Sequence, residues 1–138
     1  MQGFDTLGKG KSGGSNSNYK KLVREEFRNG TEAVFLYFSA HWCPPCRKFT
    51  PMLAEWYNMM KKGGAKVEII FMSCDKSKEE STSYFKDMPW KRDTFPASCG
   101  GDTFGLKGIP ALVLMNEDGT AAATDGRKLV GELVMKKP

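Results

Sequence analysis

The sequence lacks any apolar run approaching the roughly 18 residues of a membrane span, and its opening residues hold nothing like the apolar core of a signal peptide. These absences lead us to expect a soluble, cytoplasmic protein with no membrane partner. Cysteine is scarce, with four among 138 residues, too few for a disulfide-stapled secreted scaffold and suited to a reducing compartment. There is a single histidine, His41, and no internal repeat. The net charge of +5 and pI near 9.0 come from scattered basic residues without a nucleic-acid motif around them, which argues for solvated lysines and against a nucleic-acid partner. A chain of this length fits one domain with a real core.

Lys9 to Asn18 is a run of Lys, Gly, Ser and Asn that cannot bury apolar surface, so residues 1–18 read as a flexible tail and 19–138 as the folded domain. The end, Lys136-Lys137-Pro138, reads as frayed. Val34 to Phe38 and Val67 to Met72 are short runs rich in β-branched and aromatic residues, as expected of buried strands. Between them Phe49, Leu53, Trp56, Tyr57 and Met60 fall on one helical face that stops at Gly63-Gly64. Strand, helix and strand at this spacing make a βαβ unit with parallel strands. Ser77 and Glu80 have capping-box spacing and predict a second helix to about Lys86. Ala111 to Met115 is a further strand, and Asn116 to Gly119 a turn into a fourth near Thr120 to Thr124. Asn29-Gly30-Thr31 is a sequon that we read as a turn. The expected class is α/β, with a central mixed sheet flanked by helices.

Only Cys43 and Cys46 stand close together, in Trp42-Cys43-Pro44-Pro45-Cys46. Cys43 falls where the first strand has ended and the helix begins, with both prolines in the first turn, where no helical N–H bond is lost. The helix dipole and free N–H groups there favour a thiolate. Two residues three apart on a helix hold their α-carbons about 5 to 6 Å from each other, within reach of a disulfide. Cys46 continues the apolar stripe, whereas Cys43 precedes the first turn. Cys43 is therefore expected to be exposed and to attack, and Cys46 to be shielded and to resolve.

A zinc site would need a second close pair, and Cys74 and Cys99 are far apart in the chain, so no metal is expected. Cys74 reads as a half-buried small apolar residue and Cys99 as exposed in a Gly-rich loop. His41 beside Cys43 could form a nucleophilic couple, but no orienting third group is evident.

From Phe35 through His41-Trp42-Cys43-Pro44-Pro45-Cys46-Arg47 to Pro51, the sequence resembles the tryparedoxin and nucleoredoxin group of the thioredoxin-like superfamily. Met88-Pro89-Trp90 and Gly108-Ile109-Pro110 extend the likeness, which spans roughly residues 33 to 124. The resemblance implies a thioredoxin-like fold with helices on both sheet faces. It also implies that Pro110 is cis beside the Cys43 sulfur and that the Ile109 backbone pairs with an extended substrate segment. Trp42 is either a contact surface beside the sulfur or simple core packing. Arg47 either stabilises a nearby thiolate or is merely solvated. Tyr37 stands where many thioredoxins carry a buried acid and where the tryparedoxin branch also has tyrosine, and the resemblance implies that Arg127 corresponds to a substrate-facing arginine. Pro44 and Pro45 limit rearrangement between redox states.

The departures are local. Asp75-Lys76-Ser77-Lys78 lacks the acidic character that would welcome trypanothione, a dithiol carrying a polyamine cation. Lys91-Arg92-Asp93-Thr94 replaces an apolar strand entry and reads as a remodelled loop facing partners. The expected function is a monomeric thiol-disulfide oxidoreductase without bound cofactor. It would take electrons from a small dithiol or a reductase and reduce protein disulfides, with peroxiredoxins as the implied substrates. The alternative is a nucleoredoxin-like redox-sensitive binding module, motivated by the basic Lys91-Arg92 segment.

Overall fold

The computed structural model describes residues 19–93, 104–128 and 130. The tail at 1–18, Cys99 with its Gly-rich loop, and the last eight residues lie outside the described residues. The elements run α1 (Tyr19–Arg28), β1 (Ala33–Ser39), α2 (Pro44–Lys62), β2 (Val67–Ser73), α3 (Lys78–Phe85), β3 (Lys91–Arg92), β4 (Ala111–Met115) and β5 (Ala121–Ala123). The five strands form one sheet in the order β3-β2-β1-β4-β5.

The sheet is mixed, as the strand patterns predict. β1 and β2 are parallel with Ala33 opposite Val67, and β4 runs antiparallel to β1 with Phe38 opposite Ala111. Side chains alternate across a strand, and β1 buries both sets. Phe35 and Tyr37 join Leu53, Trp56 and Tyr57 of α2 and Tyr84 of α3 on one face. Val34, Leu36 and Phe38 join Tyr19, Leu22 and Val23 of α1 on the other. A strand buried on both sides reads as a continuous apolar run rather than an alternating one, which is why Val34 to Phe38 has no polar interruption.

The predicted punctuation holds. The side chain of Ser77 caps α3 by accepting from the Glu80 N–H at 3.1 Å. Gly63 closes α2, and Gly64 follows at φ +90°, a conformation that costs glycine little. Asn29-Gly30 turns the chain out of α1 with Gly30 at φ +99°.

Two features differ from the sequence reading. Helix α1 was not anticipated, although Tyr19, Leu22, Val23 and Glu26 lie on its buried face at helical spacing. Lys91-Arg92 is not a partner-facing loop but a short edge strand, parallel to β2 with Lys91 opposite Ile70. Its charges are engaged. Lys91 forms an ion pair with the buried Glu26 of α1, and Arg92 donates to Thr82 Oγ1 at 3.2 Å while lying over the Phe85 ring. A buried carboxylate needs such a partner, and a lysine on an edge strand also discourages strand addition.

Residues 126–128 are helical and pass close to β4. A Cβ at Gly126 would stand 2.7 Å from the Leu112 carbonyl oxygen, so only glycine permits the approach. Gly126→Ala is expected to lower stability by about 1–3 kcal/mol. Gly108→Ala, where a Cβ meets nothing within 4 Å, should stay within about 0.5 kcal/mol. Urea unfolding of the two variants beside the parent checks the contrast.

Candidate functional site

Three chain segments meet at the carboxyl end of β1. After Ser39 the chain turns through Ala40-His41-Trp42, and Cys43 N-caps α2 with prolines in its first turn. Because β4 is antiparallel to β1, its first residue lies beside the last turn of β1, which carries the Ile109–Pro110 bond to the same place. That bond is cis, as the resemblance implied.

The two sulfurs are free thiols in different settings. Cys43 Sγ accepts the Cys46 N–H at 3.4 Å, so the cysteine itself satisfies one of the open donors at the helix start. It also lies 3.8 Å from the Ile109 carbonyl oxygen, to which its S–H donates. These contacts fold it inward. Cys43 is 5% exposed rather than the open side chain expected from the sequence, because Ala40, Cys74 and Ile109 pack around it. The expected order survives, since Cys46 is fully covered. Burial pushes the Cys46 thiol up to about 11, and its bond with Cys43 adds to this, while the Ser39 hydroxyl and the Ala40 backbone pull the other way.

Trp42 is not core packing. It is 51% exposed, the large apolar side chain left open beside the pair among the described residues. Its Nε1–H donates to the Cys74 carbonyl oxygen at 3.2 Å, and Lys76 lies over its ring. Pro44 and Pro45 are exposed on the first turn. Arg47 is also exposed, and no carboxylate among the described residues pairs with it. Arg127 donates from Nη1 to the Pro110 carbonyl oxygen at 2.7 Å and covers the Phe49 ring, so in this arrangement it braces the cis-proline loop.

Tyr37 belongs to a buried hydroxyl cluster that sequence reasoning missed. Its OH lies 2.7 Å from Thr50 Oγ1, which lies 2.7 Å from the Tyr84 OH, which lies 2.8 Å from Ser39 Oγ. Thr50 also donates to the Cys46 carbonyl oxygen at 2.9 Å. The cluster fills with neutral groups the place of an absent acid, and burial raises both tyrosines above their ordinary range. His41 does not bond to Cys43; its ring stacks on Tyr84 with centroids 5.0 Å apart.

Asp75 is the other missed residue. It is buried, accepts the His41 N–H at 2.6 Å on Oδ1 and accepts from Ser73 Oγ on Oδ2, fastening the cysteine loop to the end of β2. The signal was its place two residues past the end of β2. Cys74 is half-buried, as expected, but it is disulfide-bonded rather than an inert thiol.

The geometry has relatives. Residues 30–121 match a family model described as Thioredoxin-like, and the chain belongs to this thioredoxin-like family of oxidoreductases. Within it, the chain is 44% identical to nucleoredoxin of Danio rerio over 98 residues, covering 68% of this chain and 23% of that protein. It therefore spans about a quarter of the length of that relative. It is 43% identical to tryparedoxin of Trypanosoma brucei brucei over 107 residues, 73% of each. A solved Trypanosoma brucei tryparedoxin matches with TM-score 0.68 at 40% identity, over 75% of this chain and 74% of that one. Tryparedoxin II complexed with glutathionylspermidine matches at 33% identity with TM-score 0.68 over 81% of both.

The hydroxyl cluster gives a stability prediction. Tyr84→Phe leaves Ser39 and Thr50 each short of a buried partner and is expected to cost about 1–3 kcal/mol. Thr50→Val, which removes the centre of the cluster, should cost at least as much. Urea midpoints at constant slope measure both.

Proposed function

We propose that the chain is a tryparedoxin-like protein-disulfide reductase that works as a cytoplasmic monomer through the Cys43/Cys46 dithiol. The observation that carries this reading is the placement of Cys43 at the start of α2, against the Ile109 carbonyl oxygen and the cis-Pro110, with the covered Cys46 one helical turn on.

Cys43, as thiolate, attacks one sulfur of the substrate disulfide. The substrate S–S bond breaks, a Cys43–substrate disulfide forms, and the first substrate sulfur leaves as a thiol after gaining a proton. Cys46 then loses its proton and attacks the Cys43 sulfur, releasing the second substrate thiol and leaving a Cys43–Cys46 disulfide. Two electrons pass to the substrate, and an external dithiol or a reductase restores the pair. The Cys46 N–H, aimed at the Cys43 sulfur, supports the attacking group. The resemblance supports pairing of an extended substrate segment with the Ile109 backbone. Peroxiredoxin disulfides are the substrates that the tryparedoxin resemblance supports. The binding-module alternative drew on Lys91-Arg92, and the engagement of both side chains within the fold removes that support.

Cys43→Ser is expected to abolish reduction of a model protein disulfide, and Cys46→Ser to accumulate mixed disulfides visible by mass spectrometry. Full turnover by either variant refutes the assignment. A pH dependence follows from the Cys46 thiol. Raised to about 11, it stays protonated through neutral pH, so its thiolate fraction grows about tenfold per pH unit below that value. Release of the second substrate thiol from a preformed Cys43 mixed disulfide should accelerate accordingly between about pH 7 and 9. A flat single-turnover profile counts against Cys46 as the resolving group. By the same sign, the reduced protein keeps the benefit of a neutral buried thiol below the ordinary thiol range and loses it as pH rises toward about 11.

A further inference from the structure

A groove of about 830 Å³ opens beside the cis-proline loop, between the first turns of α2 and the chain following β5. Its apolar floor includes Phe49, Met52 and Leu112, and Ile109 and Pro110 form its wall toward Cys43. Its charge is one-sided. Among the described residues, Lys48, Lys107, Arg127 and Lys128 line it against the single acid Asp125. Arg127 is held on the Pro110 carbonyl oxygen, whereas Lys48, Lys107 and Lys128 are exposed, and none makes an ion pair among the described residues.

We propose that this groove selects disulfide partners whose extended segment beside the reacting cysteine carries carboxylates around an apolar residue. This rests on the function proposed above and adds the chemical character of its substrate. The apolar side chain settles on Met52 and the part of Phe49 that Arg127 leaves open, and the carboxylates meet the lysines on the rim. Unneutralised cations around a low-dielectric trough attract such a segment and disfavour a basic one, and they do so most strongly at low ionic strength. The same field disfavours a polyamine-bearing dithiol in this groove.

Two peptides differing only in Glu against Gln around an apolar residue next to cysteine test the proposal. In fluorescence anisotropy, cysteine-to-serine forms of both are titrated onto the full chain. The acidic peptide should bind about tenfold more tightly at low salt, and the ratio should shrink as salt is added. In the Lys48→Glu, Lys107→Glu double variant the ratio should fall to about one or invert. Equal binding of the two peptides, or a preference untouched by salt and by charge reversal, overturns the groove assignment. The cysteine forms, activated as neutral thiopyridine disulfides, should show the same ratio in their rates of reaction with the parent chain. If neither these nor bis(2-hydroxyethyl) disulfide reacts, the reductase reading fails. The binding ratio still decides the groove by itself.

Discussion

The antiparallel pairing of β4 with β1 is the contact on which the site depends. A parallel neighbour would bring its carboxyl end to Cys43, whereas β4 brings its beginning, with Phe38 opposite Ala111. The residues just before β4 therefore meet the residues just after β1. That places the Ile109 carbonyl oxygen 3.8 Å from the Cys43 sulfur. The cis bond at Pro110 and the Arg127 bond to its carbonyl oxygen then fix the loop against the helix start. Packing explains why the arrangement is rigid. β1 is sandwiched between two apolar layers, and a strand held on both faces has little freedom to slide.

Two sulfurs of the same residue type acquire different chemistry from a few ångströms of position. Cys46 lies on the buried side of α2 and is driven toward its neutral form by the absence of water. Cys43 caps the helix and keeps the sliver of exposure that the pair retains. Where an ionised acid could stand near Cys46, Tyr37, Ser39, Thr50 and Tyr84 place neutral hydroxyls bonded to one another. Such a cluster avoids the desolvation cost of a buried charge, and its members satisfy one another's polar atoms.

Strands β1, β2 and β4, with α2 and α3, were legible because each carries a strong local signal: an unbroken apolar run, an apolar stripe, or the cap at Ser77. The cysteine pair and its helix-start setting were legible from spacing and the two prolines. The cis bond was reached only through resemblance, since an Ile-Pro pair by itself favours trans. Helix α1 was overlooked because its buried face ends in Glu26, a residue that reads as solvated until Lys91 is brought to it across the fold. The same long-range pair hid the strand character of Lys91-Arg92. The burial of Cys43 also escaped the sequence, because it depends on Ile109 and Cys74, which lie far along the chain.

That burial bears on how selectivity can arise. With Cys43 only 5% exposed, access to its sulfur is narrow and favours a partner held in an extended form along the loop that covers it. The covering loop is also one wall of the cationic groove, so residues that limit access adjoin residues that can supply binding energy. Attraction at the groove then works on the encounter, where charge acts at long range, while the contacts at Ile109 and Pro110 work on alignment, where only short distances count. Trp42, open on the opposite side and tethered through its indole N–H to Cys74, leaves the groove side as the apolar-floored approach to the sulfur. The groove then adds discrimination through side chains flanking the reacting cysteine, on top of the differences in leaving-group pKa and potential that distinguish one disulfide from another.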